Sequence, residues 1–180
     1  LADGRQLVLK NPANTGRIRA LLHLFPDAKF IHIYRNPFSV LPSAVHFYDR
    51  ILAMTALQRI DRQTVENNVY SMYGAFMKRS LALLETVPER QVAEVRFEHL
   101  EVDPIGELQR IYDQLELGAF DGDGRLASYV AGTAGYRKNR FPMTPDVVDR
   151  VMVAAEPFVE RWGYSPPAEH NRAPNWVRAS

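Results

Sequence analysis

An arginine and two serines near residues 35–43 are the side chains best suited to binding a phosphate group. Arg35 directly follows a run rich in β-branched and aromatic residues, FIHIY, which is typical of a short strand. Asn36-Pro37 is a typical helix start, and Ser39 and Ser43 are four residues apart and therefore share one helix face. A guanidinium, neutral hydroxyl donors and the positive end of a helix dipole together favour an anion. The turn predicts an anion site at the carboxyl end of a strand, with an ordinary ion pair as the alternative role for Arg35.

A second group of cations lies late in the chain, in the segment GYRKNRF at residues 135–141. Arg137, Lys138 and Arg140 are interleaved there with aromatic and small residues. By composition alone, this loop is compatible with simple exposure to solvent.

The elements that position these residues begin with an expected βαβ unit. Gln6–Lys10 reads as a short buried strand, and Asn11-Pro12 ends it because the residue before proline avoids the helical region. Thr15 is expected to cap a helix that buries Ile18, Leu21, Leu22 and Phe25. Such crossovers join parallel strands, so Lys10 and Arg35 are expected at the same sheet edge.

Three segments resemble the sulfotransferases that use 3′-phosphoadenosine 5′-phosphosulfate (PAPS). Residues 35–37 (RNP), with Ser43 eight positions after the arginine and then His46-Phe47, resemble that family's 3′-phosphate signature. Residues 10–18 (KNPANTGRI) are similar to the KNP-x-[HN]-T-x-RI segment of a bacterial branch. Residues 96–104 (RFEHLEVDP) are similar to the family's RYEDL followed by DP.

The resemblance implies a role for each candidate residue. Arg35, Ser43, Arg137, Lys138 and Asn139 would bind the 3′-phosphate, Phe97 would lie against adenine, and Lys10 and Asn14 would face the sulfuryl group. Many family members have a histidine base where this chain has Asn14, and an amide accepts no proton at neutral pH, so the base is unassigned. Phe97 keeps the ring of the family's tyrosine without its hydroxyl. Glu98 is expected to be a structural hydrogen-bonding acid.

The resemblance also implies a three-layer α/β fold with a parallel sheet, related to the P-loop NTPases. We expect this domain over residues 1–164, with an extended polar tail over residues 165–180. No stretch of the sequence matches the family's phosphosulfate-binding loop, so the fold is expected to be incomplete at its amino-terminal side.

The remaining elements follow from periodicity and capping residues. The helix from Pro37 is expected to bury Val40, Leu41, Ala44, Val45, Phe47 and Tyr48, with a kink at Pro42. Further expected elements are a helix over residues 64–85 with Met72 and Phe76 near its inner stripe, a strand over 91–97, and helices from Pro104, over 125–131 and from Pro145 to Gly163.

The bulk composition excludes several classes of protein. In 180 residues there are 22 Lys and Arg against 21 acidic residues, a net charge of +1 that argues against a general nucleic-acid binder. With no cysteine there is neither a disulfide nor a thiolate metal site, and no metal-ligand spacing occurs. No apolar run has the length of a membrane span and no signal-peptide pattern opens the chain, so a cytoplasmic location is expected.

The function predicted from the sequence is therefore transfer of a sulfuryl group from PAPS to a hydroxyl or amine of a small-molecule, carbohydrate or lipid acceptor. A small-molecule kinase is a rival, but no Walker loop is present. A non-catalytic module that retains the cofactor fold, or an inactive fragment, is the other alternative, and Asn14, Phe97 and the unmatched loop favour it. The chain could also form a homo-oligomer.

Overall fold

The fold is a small parallel sheet covered by helices on both faces. The computed structural model describes residues 6–120, 124–133 and 139–168. The strands are β1 (Phe30–Tyr34) and β2 (Val92–Arg96). The α-helices are α1 (Ile18–Leu24), α2 (Pro37–Thr55), α3 (Arg62–Leu84), α4 (Phe97–Val102), α5 (Pro104–Leu115), α6 (Gly124–Thr133) and α7 (Pro145–Arg161), with short 3-10 helices at Pro12–Gly16 and Glu89–Gln91.

The register of the two strands places the predicted site residues together. β1 and β2 are parallel, with Phe30 opposite Val92 and Tyr34 opposite Arg96. Each strand is followed at once by a helix, α2 after β1 and α4 after β2. Arg35 and Phe97 therefore leave the sheet side by side at its carboxyl edge.

The two faces of the sheet pack against different helices. On one face, Phe30 and Tyr34 join the larger core of buried residues contributed mainly by α2, α3 and α7. On the other face, Ala93 and Val95 pack against Ile111 and Leu115 of α5 in a smaller core. This three-layer arrangement with a parallel sheet confirms the predicted fold class.

The outer edge of β2 is closed by side chains of α5. The Arg110 guanidinium donates to the Glu94 carbonyl, and the Gln114 amide donates to the Val92 carbonyl, each over 2.9 Å. In the described part of the chain β1 has β2 as its one hydrogen-bonded neighbour, and Ile31 and Ile33 are 46% and 51% exposed. Side chains of α5 thus occupy the outer edge of β2, while the α5 layer covers the face of β2 but leaves Ile31 and Ile33 on the same face of β1 exposed.

Capping residues fix the helix starts, and those of α2, α5 and α7 are where the sequence predicts them. Asn36, Asp103 and Thr144 each accept a hydrogen bond from a backbone N–H in the first turn of α2, α5 and α7, respectively. Asp61 does the same for α3, which begins at Arg62, two residues before the predicted start. A proline occupies the first turn of α2, α5 and α7, where its missing N–H is not needed. α2 continues through Pro42 as one helix.

Helices α3 and α7 approach each other closely at a glycine. A Cβ placed on Gly74 would lie 2.8 Å from the backbone oxygen of Ala154. A short ion pair between Arg150 and Glu66 joins the same two helices, and the Arg150 guanidinium lies 4.8 Å from the centre of the Tyr70 ring. Burial would raise the pKa of Glu66, but hydrogen bonds and charge from Arg150 and Arg62 outweigh it and lower that pKa.

The predictions for the first segment were wrong in part. Gln6–Lys10 forms no strand in the structure, and Leu7, Val8 and Leu9 are exposed rather than buried. A strand requires a hydrogen-bonded neighbour, and none of the described residues provides one here. Thr15 lies inside a 3-10 helix instead of capping α1, which begins after Arg17 without a side-chain cap.

Several apolar side chains predicted to be buried are exposed. Ile18, Leu41 and Val45 lie in the core, whereas Phe25, Phe47, Tyr48, Met72 and Phe76 are each more than 40% exposed. Helical periodicity identifies an apolar stripe but not how much of its width a neighbouring element covers. The sequence also did not predict α4 as a helix.

Two further predictions concern the chain as a whole. The division into a domain over residues 1–164 and a tail over residues 165–180 stays a prediction. None of the helices among the described residues has both the length and the apolar character of a membrane-spanning segment.

Candidate functional site

The candidate site is built on the turn between β1 and α2. Arg35 leaves the strand, Asn36 adopts the N-cap position and Pro37 is the first helical residue. The Asn36 side-chain oxygen accepts a hydrogen bond from the Phe38 N–H over 2.9 Å, and Pro37 and Phe38 are buried. The turn is thus fixed by capping on one side and by packing on the other.

Arg35 is a half-buried cation held against an aromatic ring. Its guanidinium carbon lies 4.6 Å from the centre of the Phe97 ring, a cation–π distance. In the part of the chain that the structure describes, no carboxylate forms an ion pair with Arg35. A partly buried charge without a counter-ion is unfavourable, so an anionic ligand at this position would be stabilising.

The first turn of α2 leaves no N–H group for such an anion. Pro37 has none, Phe38 donates to the Asn36 side chain, and Ser39 and Val40 donate to the Asn36 carbonyl over 2.9 and 3.0 Å. The sequence suggests an anion at the helix N-terminus, but the hydrogen-bond donors to that anion must be side chains. The backbone of α2 would attract the anion only through the helix dipole.

Ser39 and Ser43 are both half-buried on α2, and neither hydroxyl has a hydrogen-bond partner among the described residues. One turn beyond Ser43, the exposed His46 ring lies 5.5 Å from the ring of Phe141. Phe141 therefore brings residues 139–141, where the chain leaves the predicted cationic loop, close to α2. That the loop approaches the same ligand as Ser43 stays a prediction.

Glu98 connects the site turn to two other parts of the fold. One carboxylate oxygen accepts from the Asn36 N–H over 3.2 Å, and the other accepts from the Tyr164 hydroxyl over 2.6 Å. Arg96 lies 3.7 Å away. Burial would raise the pKa of Glu98, but the hydrogen bonds from Tyr164 and Asn36 and the charge of Arg96 outweigh it and lower that pKa. The expectation that Glu98 is a hydrogen-bonding acid matches this geometry.

Tyr164 is the residue of this network that the sequence did not single out for the site. Burial and the hydrogen bond to Glu98 raise the pKa of its hydroxyl, which therefore stays a neutral donor. Its ring is 8% exposed and lies under the Arg96 guanidinium, with 4.2 Å from the guanidinium carbon to the ring centre. The one feature of the sequence that could have drawn attention to Tyr164 is its position directly after Gly163, where the last helix was predicted to end.

The other predicted site residues do not all lie within this cluster. Lys10 is exposed and makes no hydrogen bond or ion pair with the described residues, and half-buried Asn14 lies in the 3-10 helix that packs on α3. Asn139 is exposed. Arg137 and Lys138 lie outside the described residues. The roles assigned to all these side chains stay predictions.

Comparison with known proteins decides the family. A family model described as "Sulfotransferase family" matches residues 2–121, two thirds of the chain. The chain belongs to the sulfotransferase family. It is also 35% identical over 163 residues to proteins named omega-hydroxy-beta-dihydromenaquinone-9 sulfotransferase Stf3 from Mycobacterium bovis and Mycobacterium tuberculosis. The aligned region is 89% of this chain and 42% of those relatives, so this sulfotransferase chain spans less than half their length.

Solved structures support the same fold. The crystal structure of sulfotransferase STF9 from Mycobacterium avium superposes with a TM-score of 0.68 at 17% identity, covering 87% of this sulfotransferase chain and 42% of that one. A sulfotransferase domain from the curacin biosynthetic pathway gives 0.56 at 18% identity, covering 92% and 65%. At these identities the likeness establishes the fold and leaves the substrate to other arguments.

Proposed function

We propose that the complete protein transfers a sulfuryl group from PAPS to a hydroxyl group and releases adenosine 3′,5′-bisphosphate. The observation that carries the proposal is Arg35, a half-buried guanidinium stacked on Phe97 with no ion-pair partner among the described residues. A phosphate next to this guanidinium would supply the missing counter-charge through charge-assisted hydrogen bonds. Its neighbour Arg96, by contrast, already has Glu98 close by.

The proposed binding mode divides the nucleotide between two groups of side chains. Arg35 and the Ser43 hydroxyl would bind the 3′-phosphate, joined by Arg137, Lys138 and Asn139 from the late loop. Phe97 would lie against adenine, since one aromatic ring can contact a base and a guanidinium through different parts of its surface. The position of Phe141 against His46 supports the approach of the late loop to α2.

The proposed reaction is an in-line displacement at sulfur. The acceptor oxygen forms a bond to sulfur while the bond from sulfur to the 5′-phosphate oxygen breaks, and the acceptor proton passes to a base. Cationic donors such as Lys10 would stabilise the negative charge on the transferring oxygens, as in phosphoryl transfer. Asn14 can orient the acceptor or the sulfuryl oxygens, but its amide cannot accept the proton, so the base stays unassigned.

The acceptor is proposed to be a lipid-like alcohol. The Mycobacterium relatives are named for an omega-hydroxy menaquinone derivative. In this chain, the carboxyl half of α2 and the loop after it form an open cleft of about 450 Å³. Its lining combines apolar residues such as Leu52 and Ile60 with the polar residues Asp49, Gln58 and Arg59. The hydrocarbon chain of such an acceptor would bury the apolar part of this cleft, which is favourable.

Calorimetric titration with adenosine 3′,5′-bisphosphate tests the proposal, with adenosine 5′-monophosphate and Mg²⁺-ATP as comparison ligands. We expect binding that requires the 3′-phosphate and that Arg35→Ala weakens by about 10- to 100-fold, since hydrogen bonds to charged groups contribute about 1.5–3 kcal/mol. Arg90→Ala is the matched control, because Arg90 is exposed and lies at the opposite end of β2. Preference for Mg²⁺-ATP would overturn the proposal in favour of a kinase.

A non-catalytic binding module is the second candidate, and Asn14 is the observation that favours it. Incubation of the complete protein with PAPS and a long-chain ω-hydroxy lipid distinguishes the two candidates. Release of the bisphosphate together with a sulfated lipid would establish transfer. Tight binding of the bisphosphate without either product would instead establish the module.

A further inference from the structure

We infer that Glu98 and Tyr164 are positioning residues that hold Arg35 ready for its anion. This inference rests on the proposed function, because it assigns Arg35 to the 3′-phosphate. It adds to that function a specific hydrogen-bonded link from the end of α7 to the phosphate-binding turn. Neither residue is placed on the ligand itself; both act through the backbone next to Arg35.

The first link is the peptide unit between Arg35 and Asn36. Its N–H donates to Glu98, and the next residue, Pro37, locks the chain into α2. A rotation of this peptide would change the direction in which the Arg35 side chain leaves the backbone. Because the N–H comes before the helix and has no helical acceptor, Glu98 is what fixes the rotation.

The second link is α4, which carries both contacts in adjacent residues. Phe97 supports the Arg35 guanidinium, and Glu98 holds the N–H of the residue after Arg35. The adjacent residues Phe97 and Glu98 of α4 thus contact the adjacent residues Arg35 and Asn36 before α2. Both oxygens of Glu98 are occupied by the neutral donors Asn36 and Tyr164, so the carboxylate is satisfied without forming an ion pair with Arg35.

The third link is the helix ending that places Tyr164. Gly163 has φ +62°, and the N–H groups of Gly163 and Tyr164 donate to the carbonyls of Glu160 and Val159. These two bonds form a Schellman motif, which turns the chain sharply back after α7. The turn brings the Tyr164 ring edge-on to Tyr34, 6.4 Å between ring centres, and its hydroxyl onto Glu98. Tyr164 lies beyond residues 2–121, where the family model matches.

Three variants test the inference by bisphosphate titration. Tyr164→Phe keeps the ring under Arg96 and removes only the hydroxyl, and Glu98→Ala removes the acceptor of both hydrogen bonds. We expect Kd to rise about threefold for Tyr164→Phe and about tenfold or more for Glu98→Ala, since each hydrogen bond contributes modestly. Glu98→Gln keeps an oxygen for the Asn36 N–H and should recover most of the affinity lost in Glu98→Ala. Tyr73→Phe, a hydroxyl deletion in the larger core, is the control and should bind as the wild type does.

A second readout does not depend on any ligand. We expect the Asn36 amide to exchange with solvent at least about tenfold faster in Glu98→Ala than in the wild type, while amides of α3 keep their protection. Variants that stay folded, bind the bisphosphate as the wild type does and protect Asn36 equally would overturn the inference. If the wild type itself binds no bisphosphate, the proposed function fails. The exchange rate of the Asn36 amide in Glu98→Ala still tests the link: faster exchange than in the wild type would show that Glu98 holds the turn, and unchanged exchange would show that it does not.

Discussion

Replacing Gly74 by alanine tests how closely α3 and α7 approach each other. The new Cβ would lie 2.8 Å from the backbone oxygen of Ala154, a separation that real Cβ atoms essentially never show. A backbone oxygen cannot rotate away, so one helix must shift, and the cost is expected in the upper part of the range for overpacking, about 2–3 kcal/mol. Alanine regains about 1 kcal/mol of helix propensity over glycine. We therefore expect a net loss of about 1–2 kcal/mol in the free energy of unfolding.

Thermal unfolding followed by circular dichroism measures this loss. For a chain of this size, each kcal/mol shifts Tm by about 2–4 °C, so Gly74→Ala should unfold about 2–8 °C below the wild type. Gly132→Ala in α6 is the matched control, because its Cβ would meet no described atom within 4 Å. That variant should unfold at the same temperature or higher. A Gly74→Ala protein that unfolds no earlier than the wild type would refute the close contact.

Three further substitutions probe the fold. Leu115→Ala, at a fully buried position in the smaller core, should lower the free energy of unfolding by about 2–5 kcal/mol in a urea titration. Gln91→Ala removes a buried amide that donates to two backbone carbonyls before β1, and should cost about 1–3 kcal/mol by the same method. Glu66 has a lowered pKa in the folded state, so its contribution is present above the ordinary value of 4.5 and is lost as the pH falls through the folded value. The stability difference between wild type and Glu66→Gln should therefore be largest near pH 7 and shrink by pH 3.

Each of these expectations has a contrary result. A loss below about 1 kcal/mol for Leu115→Ala would mean that α5 does not close the face of β2. An unchanged free energy of unfolding in Gln91→Ala would show that water can reach the two carbonyls. A stability difference for Glu66→Gln that stays constant from pH 7 to pH 3 would contradict a folded carboxylate held charged by Arg150.

Features fixed by short stretches of sequence were predicted well. Asn36-Pro37, Asp103-Pro104 and Thr144-Pro145 each determine a helix start through one hydrogen bond and one restricted φ angle. The strands before and between these helices were predicted for a similar reason, since their β-branched and aromatic content is local. Their parallel arrangement was predicted only through the family resemblance, because the helical-crossover argument had been applied to Gln6–Lys10 and β1.

Features that depend on distant neighbours were not predicted. Gln6–Lys10 has the composition of a strand, but a strand also requires a partner that the described residues do not supply. The outward side of α2 is apolar at Phe47 and Met54, so periodicity could not distinguish it from the buried side. α4 begins immediately after β2, and a sequence pattern gives no sign of such an abrupt change.

The candidate site also combines features that local sequence predicts with features that depend on distant neighbours. Arg35 was identified from its position after a strand, and Phe97 only through the family resemblance. Their contact depends on the register of two strands about 60 residues apart, and no local pattern encodes a register between distant segments. The link through Glu98 to Tyr164 depends in addition on the turn after α7, which Gly163 makes possible.

The α5 side chains that close the β2 edge also limit how the sheet could be extended. Among the described residues, Arg110 and Gln114 occupy the outward carbonyls of Glu94 and Val92, whereas the other side of β1 has no hydrogen-bonded strand. A strand that joined this sheet, whether from the same polypeptide or from another, would therefore pair with β1 rather than with β2. The α5 side chains thus give the sheet a single direction in which it can be extended.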